Sequence, residues 1–444
     1  MNNTSDQSAI QPVTKSTLDN GLTVVLREMH HAPVTSFWVW YRVGSRNEVP
    51  GITGASHWVE HLMFKGSPQF PAGSLDRLIS REGGRWNAFT TTDFTAYYET
   101  LPSARSDLAL RLEADRMVAA AMSEEDVESE RSVIISERQM YENYPTFLLQ
   151  EELIAAAYRV HPYHHEVIGD EADLEAMTRT DLVKHYRRYY SPDNAVVVGV
   201  GDFDSGEMLA RIEELFGPIP GGEPISDRVR PEPAQRGERR VTVNGPGHTA
   251  YLAFAFHVPP ATHPDFYPVV LLNAAYTGGS SLGFFGSGTT NKSSRLYKAL
   301  VASDLATAVS GGVSPSIDPY LYTIFAVARP GRSLAEIRST LEQQLARLAQ
   351  EPITQIELDK AIKRAKAQFV MAGESVTGQA QMIGLAEMVA GDYGWYEQTL
   401  ASLKQVTLAD IDRVRAQYLR RDNRVVGLYE PTGNAPPEDD PGES

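Results

Sequence analysis

The chain contains a copy of one of its own segments, and this constrains its fold more than any local pattern does. Met177–Asn194, MTRTDLVKHYRRYYSPDN, lies over Val406–Asn423, VTLADIDRVRAQYLRRDN. Thr178/Thr407, Asp181/Asp410, Tyr189/Tyr418, Asp193/Asp422 and Asn194/Asn423 are identical, at a constant offset of 407 − 178 = 229. Both copies run on into valines, Val196–Val197 and Val425–Val426. Each reads as a Thr-capped helix, an Asp-Asn turn and a buried strand. The alternative is two unrelated helix-turn-strand units sharing common cap and turn residues.

Proline, glycine and charge dominate Gly217–Arg240, GPIPGGEPISDRVRPEPAQRGERR, near the midpoint of the 444 residues, so a linker is expected there. Each half opens with β-branched and aromatic runs: Leu22–Leu26 and Thr35–Val43 in the first, Arg240–Val243 and Ala250–Val258 in the second. Helical patterns follow. Such an order predicts an α+β fold of two duplicated domains, each with helices packed on a mainly antiparallel β-sheet. The expected division is 1–220, a linker at 221–238, and a homologous domain at 239–444. The segment after Pro431, TGNAPPEDDPGES, cannot build a core.

Zero cysteines exclude disulfide scaffolds, thiol nucleophiles and Cys-based metal sites, so any metal must sit on His, Asp or Glu. A net charge of −16 argues against nucleic acid, whose binding needs clustered Lys and Arg. No apolar run is long enough to span a membrane, and Met1–Pro12 is polar, without the pattern of a signal peptide. The expected compartment is the cytoplasm, with the periplasm as the alternative if a leader was removed.

His57-Trp58-Val59-Glu60-His61 lies in a stretch free of proline and glycine between Gly54 and Gly66, so a helix is expected. Residues four apart share a face, which sets His57 beside His61, close enough to hold one ion. Glu60, three residues from His57, can reach a water on that ion. This is the H-x-x-E-H order, the inversion of the commoner zinc motif. The bland reading is a helix that exposes two histidines and a glutamate.

Ser123–Tyr141, SEEDVESERSVIISERQMY, reads as a helix with Ser123 as cap. Glu130 and Glu137 are seven apart, two helical turns, so they share a face with Val133 and Ile134 between them. Acids interleaved with core residues are costly unless paired or metal-bound, which makes Glu137 a candidate third ligand, 137 − 61 = 76 residues beyond His61. The alternative is a solvated acidic stripe.

Together these motifs resemble the pitrilysin/insulinase-type zinc peptidases. The strand-like WNAFTTTDFTAYYETLP at Trp86–Pro102 and DNGLTVVL near the start are similar to that family too, in the branch that includes mitochondrial processing peptidase. The resemblance implies zinc held by His57, His61 and Glu137, Glu60 as general base, and Glu130 orienting a ligand histidine. It also implies that Asn87 and Ala88 lie on an edge strand to which a peptide substrate adds as a further strand.

One departure stands out. Family members resemble one another in an Arg and, seven residues later, a Tyr that bind the substrate carbonyl. Aligning on Ser293-Ser294-Arg295-Leu296 puts Leu300 and Thr307 at those places. The expected assembly is therefore a heterodimer in which this chain bears zinc and a homologous subunit without the metal motif supplies Arg and Tyr, with a homodimer as the alternative. The glycine-rich Tyr276–Ser293, YTGGSSLGFFGSGTTNKS, lacks phosphate-loop spacing and is expected to be a surface loop near the subunit junction.

His161, His164 and His165 fall in a proline- and tyrosine-containing loop, His30 and His31 in a turn, and Trp58 is expected in the core. No G-x-S-x-G elbow is present. The expected function is a zinc endopeptidase subunit that acts in a closed chamber. A non-catalytic scaffold of the same family and a non-peptidase metallohydrolase are the alternatives.

Overall fold

The computed structural model describes residues 12–225, 229–279 and 291–433. The strands are β1 (Thr14–Thr17), β2 (Thr23–Glu28), β3 (Val34–Tyr41), β4 (Arg85–Thr90), β5 (Thr95–Pro102), β6 (Ala195–Gly201), β7 (Arg239–Gly245), β8 (Tyr251–Val258), β9 (Ala306–Val313), β10 (Tyr320–Ala328) and β11 (Arg424–Pro431). The helices of the first half are α1 (Ala55–Leu62), α2 (Leu75–Arg81), α3 (Ser106–Ala119), α4 (Glu124–Glu142), α5 (Pro145–Ala157), α6 (Glu171–Ala176), α7 (Arg179–Tyr189) and α8 (Ser205–Phe216). Those of the second are α9 (Phe266–Tyr276), α10 (Leu334–Gln350), α11 (Gln355–Ala372), α12 (Val376–Ala390), α13 (Gly394–Gln405) and α14 (Leu408–Tyr418).

The sheets run β1-β2-β6-β3-β5-β4 and β7-β11-β8-β10-β9. Without the β1 hairpin strand they are the same sheet. β2 pairs parallel with β6 and β7 with β11, while every other pairing is antiparallel. The repeat has a structural counterpart. Thr178 and Thr407 each accept the N–H of Asp181 and Asp410 in matching capping boxes on α7 and α14. Asn194 and Asn423 each donate Nδ2 at 2.8 Å to the last carbonyl of the preceding helix, on Tyr189 and Tyr418. The α+β reading with two duplicated domains is what the protein adopts.

The compact units are not contiguous in sequence. The first takes Met1–Ser132, Val167–Asp227 and Gly373–Tyr393; the second takes Val133–Glu166, Arg228–Ala372 and Gly394–Ser444. The boundaries at 220 and 239 follow chain order, whereas the packing passes one helix each way. α12, from the later half, lies on β3 and β6 of the first sheet. α5, from the earlier half, lies on β11, β7 and β8 of the second. Among the described residues of 221–238 there is neither strand nor helix.

In the first unit Trp38 stacks on Trp40 and Tyr98, with centroids 5.2 and 4.1 Å apart. Gly384 of α12 lets that helix reach Trp40. In the second unit all of α9 is buried against Leu252, Phe254 and Phe256. On the other face Leu149, Leu153 and Ala157 of α5 meet Ala253, Ala255 and Val425. Strands covered on both faces explain the continuous apolar runs in β3 and β6. Residues 280–290 of the glycine-rich segment and 434–444 of the tail lie outside the described residues.

Candidate metal centre

The helix that carries both histidines is held at its start. Gly54, in the left-handed region at φ 86°, caps α1. The buried Glu48 carboxylate accepts the N–H of Gly54 at 2.8 Å and of Ser56 at 2.7 Å. It thus serves two orphan donors and places negative charge at the positive end of the helix.

The His57 and His61 rings stand 4.6 Å apart, as the four-residue spacing requires. Burial, and then the neighbouring His61, hold the His57 imidazole down at about 3, so at neutral pH it is an uncharged donor. His61 Nδ1 lies 2.9 Å from Glu130 Oε2, and Lys65 pairs with the other Glu130 oxygen. The His61 hydrogen bond first, then Lys65, keep the Glu130 carboxyl below its ordinary value against the opposing effect of burial. An ionised carboxylate only accepts, so His61 Nδ1 carries a proton towards Glu130, with Nε2 on the opposite side of the ring.

Ser123 and Asp126 start α4 with a reciprocal cap. The helix is continuous, so anchoring Glu130 on His61 fixes Glu137 two turns on. Tyr141, one turn further, donates its hydroxyl to Glu137 Oε1 at 3.0 Å. Val133, expected in the core between the two acids, is 46% exposed, whereas Ile134 is buried. The acidic face runs at the edge of the core rather than through it.

His57, His61 and Glu137 each bring one ligand atom to within 4.8 Å of the others. Among the described residues no other trio of His, Asp and Glu comes so close, and His161, His164 and His165 form none. His161 instead lies 3.1 Å from Asp318 and His164 bonds a backbone carbonyl. Two imidazoles and one carboxylate, without a thiolate, are a donor set that suits zinc with a position left for water. The residues fit a zinc ion.

Glu60, buried next to His61, accepts the Thr90 hydroxyl at 2.7 Å. Thr90 ends β4, the outer strand of the first sheet. Asn87 is exposed on that strand and Ala88 buried, and Asn87 Oδ1 accepts the Ala88 N–H at 2.9 Å. Spacing along α1 and α4 made the histidines and acids legible, and Tyr141 follows the same four-residue rule on α4, whereas Lys65 lies beyond the end of α1 and reaches Glu130 through tertiary packing. Thr90 and Glu48 had no such signal, because their contacts depend on tertiary packing.

Of the positions aligned with the family's Arg and Tyr, Leu300 is buried in the core and Thr307 is exposed on β9. The nearby Arg295 grips Glu357 at 2.8 and 2.7 Å and caps the carbonyls of Glu351 and Pro352.

A helix bearing H-x-x-E-H, with a glutamate brought to it from a second helix, on a sheet with an open edge strand, defines the architecture of an inverted-motif metallopeptidase. The chain belongs to the M16 peptidase family: residues 23–171 match "Insulinase (Peptidase family M16)" and 176–365 match "Peptidase M16 inactive domain". It is 30% identical over 422 residues to the zinc protease PqqE of Helicobacter pylori, covering 93% of this chain and 92% of that one. It is 26% identical over 409 residues to the beta subunit of a mitochondrial-processing peptidase from Lentinula edodes, covering 91% and 87%. The crystal structure of a protease from Helicobacter pylori superposes with a TM-score of 0.88 at 29% identity, covering 95% of this chain and all of that one. Relatives named zinc proteases support a peptidase-type function. No helix among the described residues is long and apolar enough to cross a membrane.

Proposed function

We propose that this protein is the zinc-bearing subunit of an endopeptidase, with His57, His61 and Glu137 as ligands and Glu60 as general base. The single observation that carries the reading is the convergence of those three ligand atoms beside a buried carboxylate. Zinc, when bound, supplies Lewis acidity that acidifies water and polarises a carbonyl. Glu60 takes the proton of the attacking water and returns it to the leaving amine, a role worth about 10²- to 10⁴-fold. The outer strand β4, with Asn87 and Ala88, receives the peptide as an added strand, so main-chain hydrogen bonds rather than side chains supply most of the affinity.

Leu300 in the core and Thr307 on β9 leave the oxyanion without the family's two donors, a lack worth about 10²- to 10³-fold for each donor. The reading therefore includes a homologous partner that lacks the metal motif, supplies Arg and Tyr, and closes a chamber around peptides or short unfolded segments. The beta chain of the processing peptidase is itself named a subunit. The same gap favours a second reading, a scaffold member of the family with little chemistry of its own.

Metal analysis and a peptide digest separate the two. The purified chain should carry about one zinc, lost in Glu137→Gln, and should cleave peptides feebly until co-expressed with the partner. Glu60→Gln should keep the metal and abolish cleavage. A chain without zinc identifies the scaffold. Full activity from a monomer rules out the need for a partner.

A further inference from the structure

The base has a tether outside its own helix: the Thr90 hydroxyl donates to Glu60 Oε2 at 2.7 Å. Thr90 pairs across the hairpin with Thr95, whose hydroxyl lies 3.3 Å from Thr90 Oγ1 and 2.9 Å from the Val43 carbonyl. The turn between them is locked. Thr91 donates its N–H to the Phe94 carbonyl at 2.8 Å, and its hydroxyl accepts the N–H groups of Asp93 and Phe94 at 3.2 and 3.1 Å. Gly44 packs so tightly behind this turn that a Cβ on it would stand 2.3 Å from the Thr91 carbonyl oxygen. Thr90 therefore sits on a backbone with little freedom, and one Glu60 oxygen is pinned to that strand end.

We propose that Thr90 is the positioning residue for Glu60. Its O–H fixes the carboxylate rotamer. Because Thr90 belongs to the outer strand β4, the same residue ties the base to the strand that aligns the peptide. The inference rests on the peptidase reading for its consequence in catalysis, and on the Thr90–Glu60 contact for its geometry.

Two substitutions with opposite chemistry test it. Thr90→Val keeps the β-branched shape and loses the hydroxyl, whereas Thr90→Ser keeps the hydroxyl and loses the methyl. Crystal structures of the metal-free protein should show the Glu60 carboxylate displaced or split in Thr90→Val and unmoved in Thr90→Ser. An unmoved carboxylate in Thr90→Val overturns the proposal. In the zinc-loaded protein with its partner, Thr90→Val should lower kcat about 10- to 100-fold with KM unchanged, and Thr90→Ser should restore most of it. The reverse ranking, with Val tolerated and Ser harmful, marks a packing role and overturns the proposal. A wild-type protein that binds zinc but cleaves no peptide sinks the peptidase reading alone, and the crystallographic comparison still decides what Thr90 does to Glu60.

Discussion

His61 Nδ1 stands 2.9 Å from Glu130 Oε2, two turns of α4 before Glu137. That hydrogen bond sets the His61 tautomer, turns the ring, and seats the helix that carries the third ligand candidate. Glu130→Gln keeps the shape and removes the ionised acceptor. Zinc affinity is expected to fall about 10- to 100-fold while the fold is retained. Competition against a chromogenic chelator measures this. Equal affinity in wild type and variant would show that the contact orients nothing.

Gly384 shows how closely α12 approaches the first sheet. A Cβ on Gly384 would stand 2.1 to 2.5 Å from atoms of the Trp40 indole, which is itself buried and stacked on Trp38. The ring has nowhere to move, so Gly384→Ala must shift the helix. The expected cost is about 1–3 kcal/mol from overpacking. Gly237→Ala is the control, because nothing lies within 4 Å of its added Cβ. Thermal scans of the two should differ, with only Gly384→Ala melting earlier.

Which helix belongs to which sheet could not be read from the chain. The apolar face of α12 announces burial but not the sheet it covers, and elements adjacent in sequence are usually adjacent in space. Here α12 and α5 break that rule. What was legible depends on short spacings. The capping boxes at Thr178–Asp181 and Thr407–Asp410, and the pairs His57/His61 and Glu130/Glu137, each lie within one helix and follow its geometry. The Thr90–Glu60 contact joins residues 30 apart through a hairpin and a helix, so no periodicity points to it. Val133 fails for a related reason: helical spacing gives a face, and only packing says how far that face extends into the core.

The Arg295–Glu357 pair predicts a pH dependence of stability. Arg295 first, with the Thr354 hydrogen bonds assisting against burial, brings the Glu357 carboxyl from 4.5 down to about 2. A folded-state pKa below the unfolded one means that the unfolded chain binds more protons in this window. The contribution is therefore complete above about 4.5 and is lost as pH falls towards 2. Urea midpoints of wild type and Glu357→Gln should differ most at neutral pH and converge between pH 4.5 and 2. A gap that stays constant across that window would mean that the carboxylate charge is irrelevant there.

The two asparagines of the repeat offer a test of duplication at the level of energetics. The last carbonyls of a helix have no partner within it. Asn194 Nδ2 serves the Tyr189 carbonyl of α7 at 2.8 Å and reaches the Arg42 carbonyl at 3.4 Å. Asn423 Nδ2 serves the Tyr418 carbonyl of α14 at 2.8 Å and the carbonyl of His257, in β8 one residue past its pairing with β11, at 2.9 Å. Each side chain thus ties a helix end to a strand or its end in its own unit: Asn423 to β8, and Asn194 to Arg42, the residue after β3. Replacing either by alanine strands two acceptors, at a cost of about 1–3 kcal/mol. Asn194 is the more buried of the two, so water compensates less there and Asn194→Ala should be the more damaging. Asn→Asp at either site should be at least as harmful, because it sets a carboxylate oxygen against the carbonyls in place of a donor. Denaturation of the four variants reads the ranking directly: if Asn423→Ala proves the worse, burial does not govern this contact.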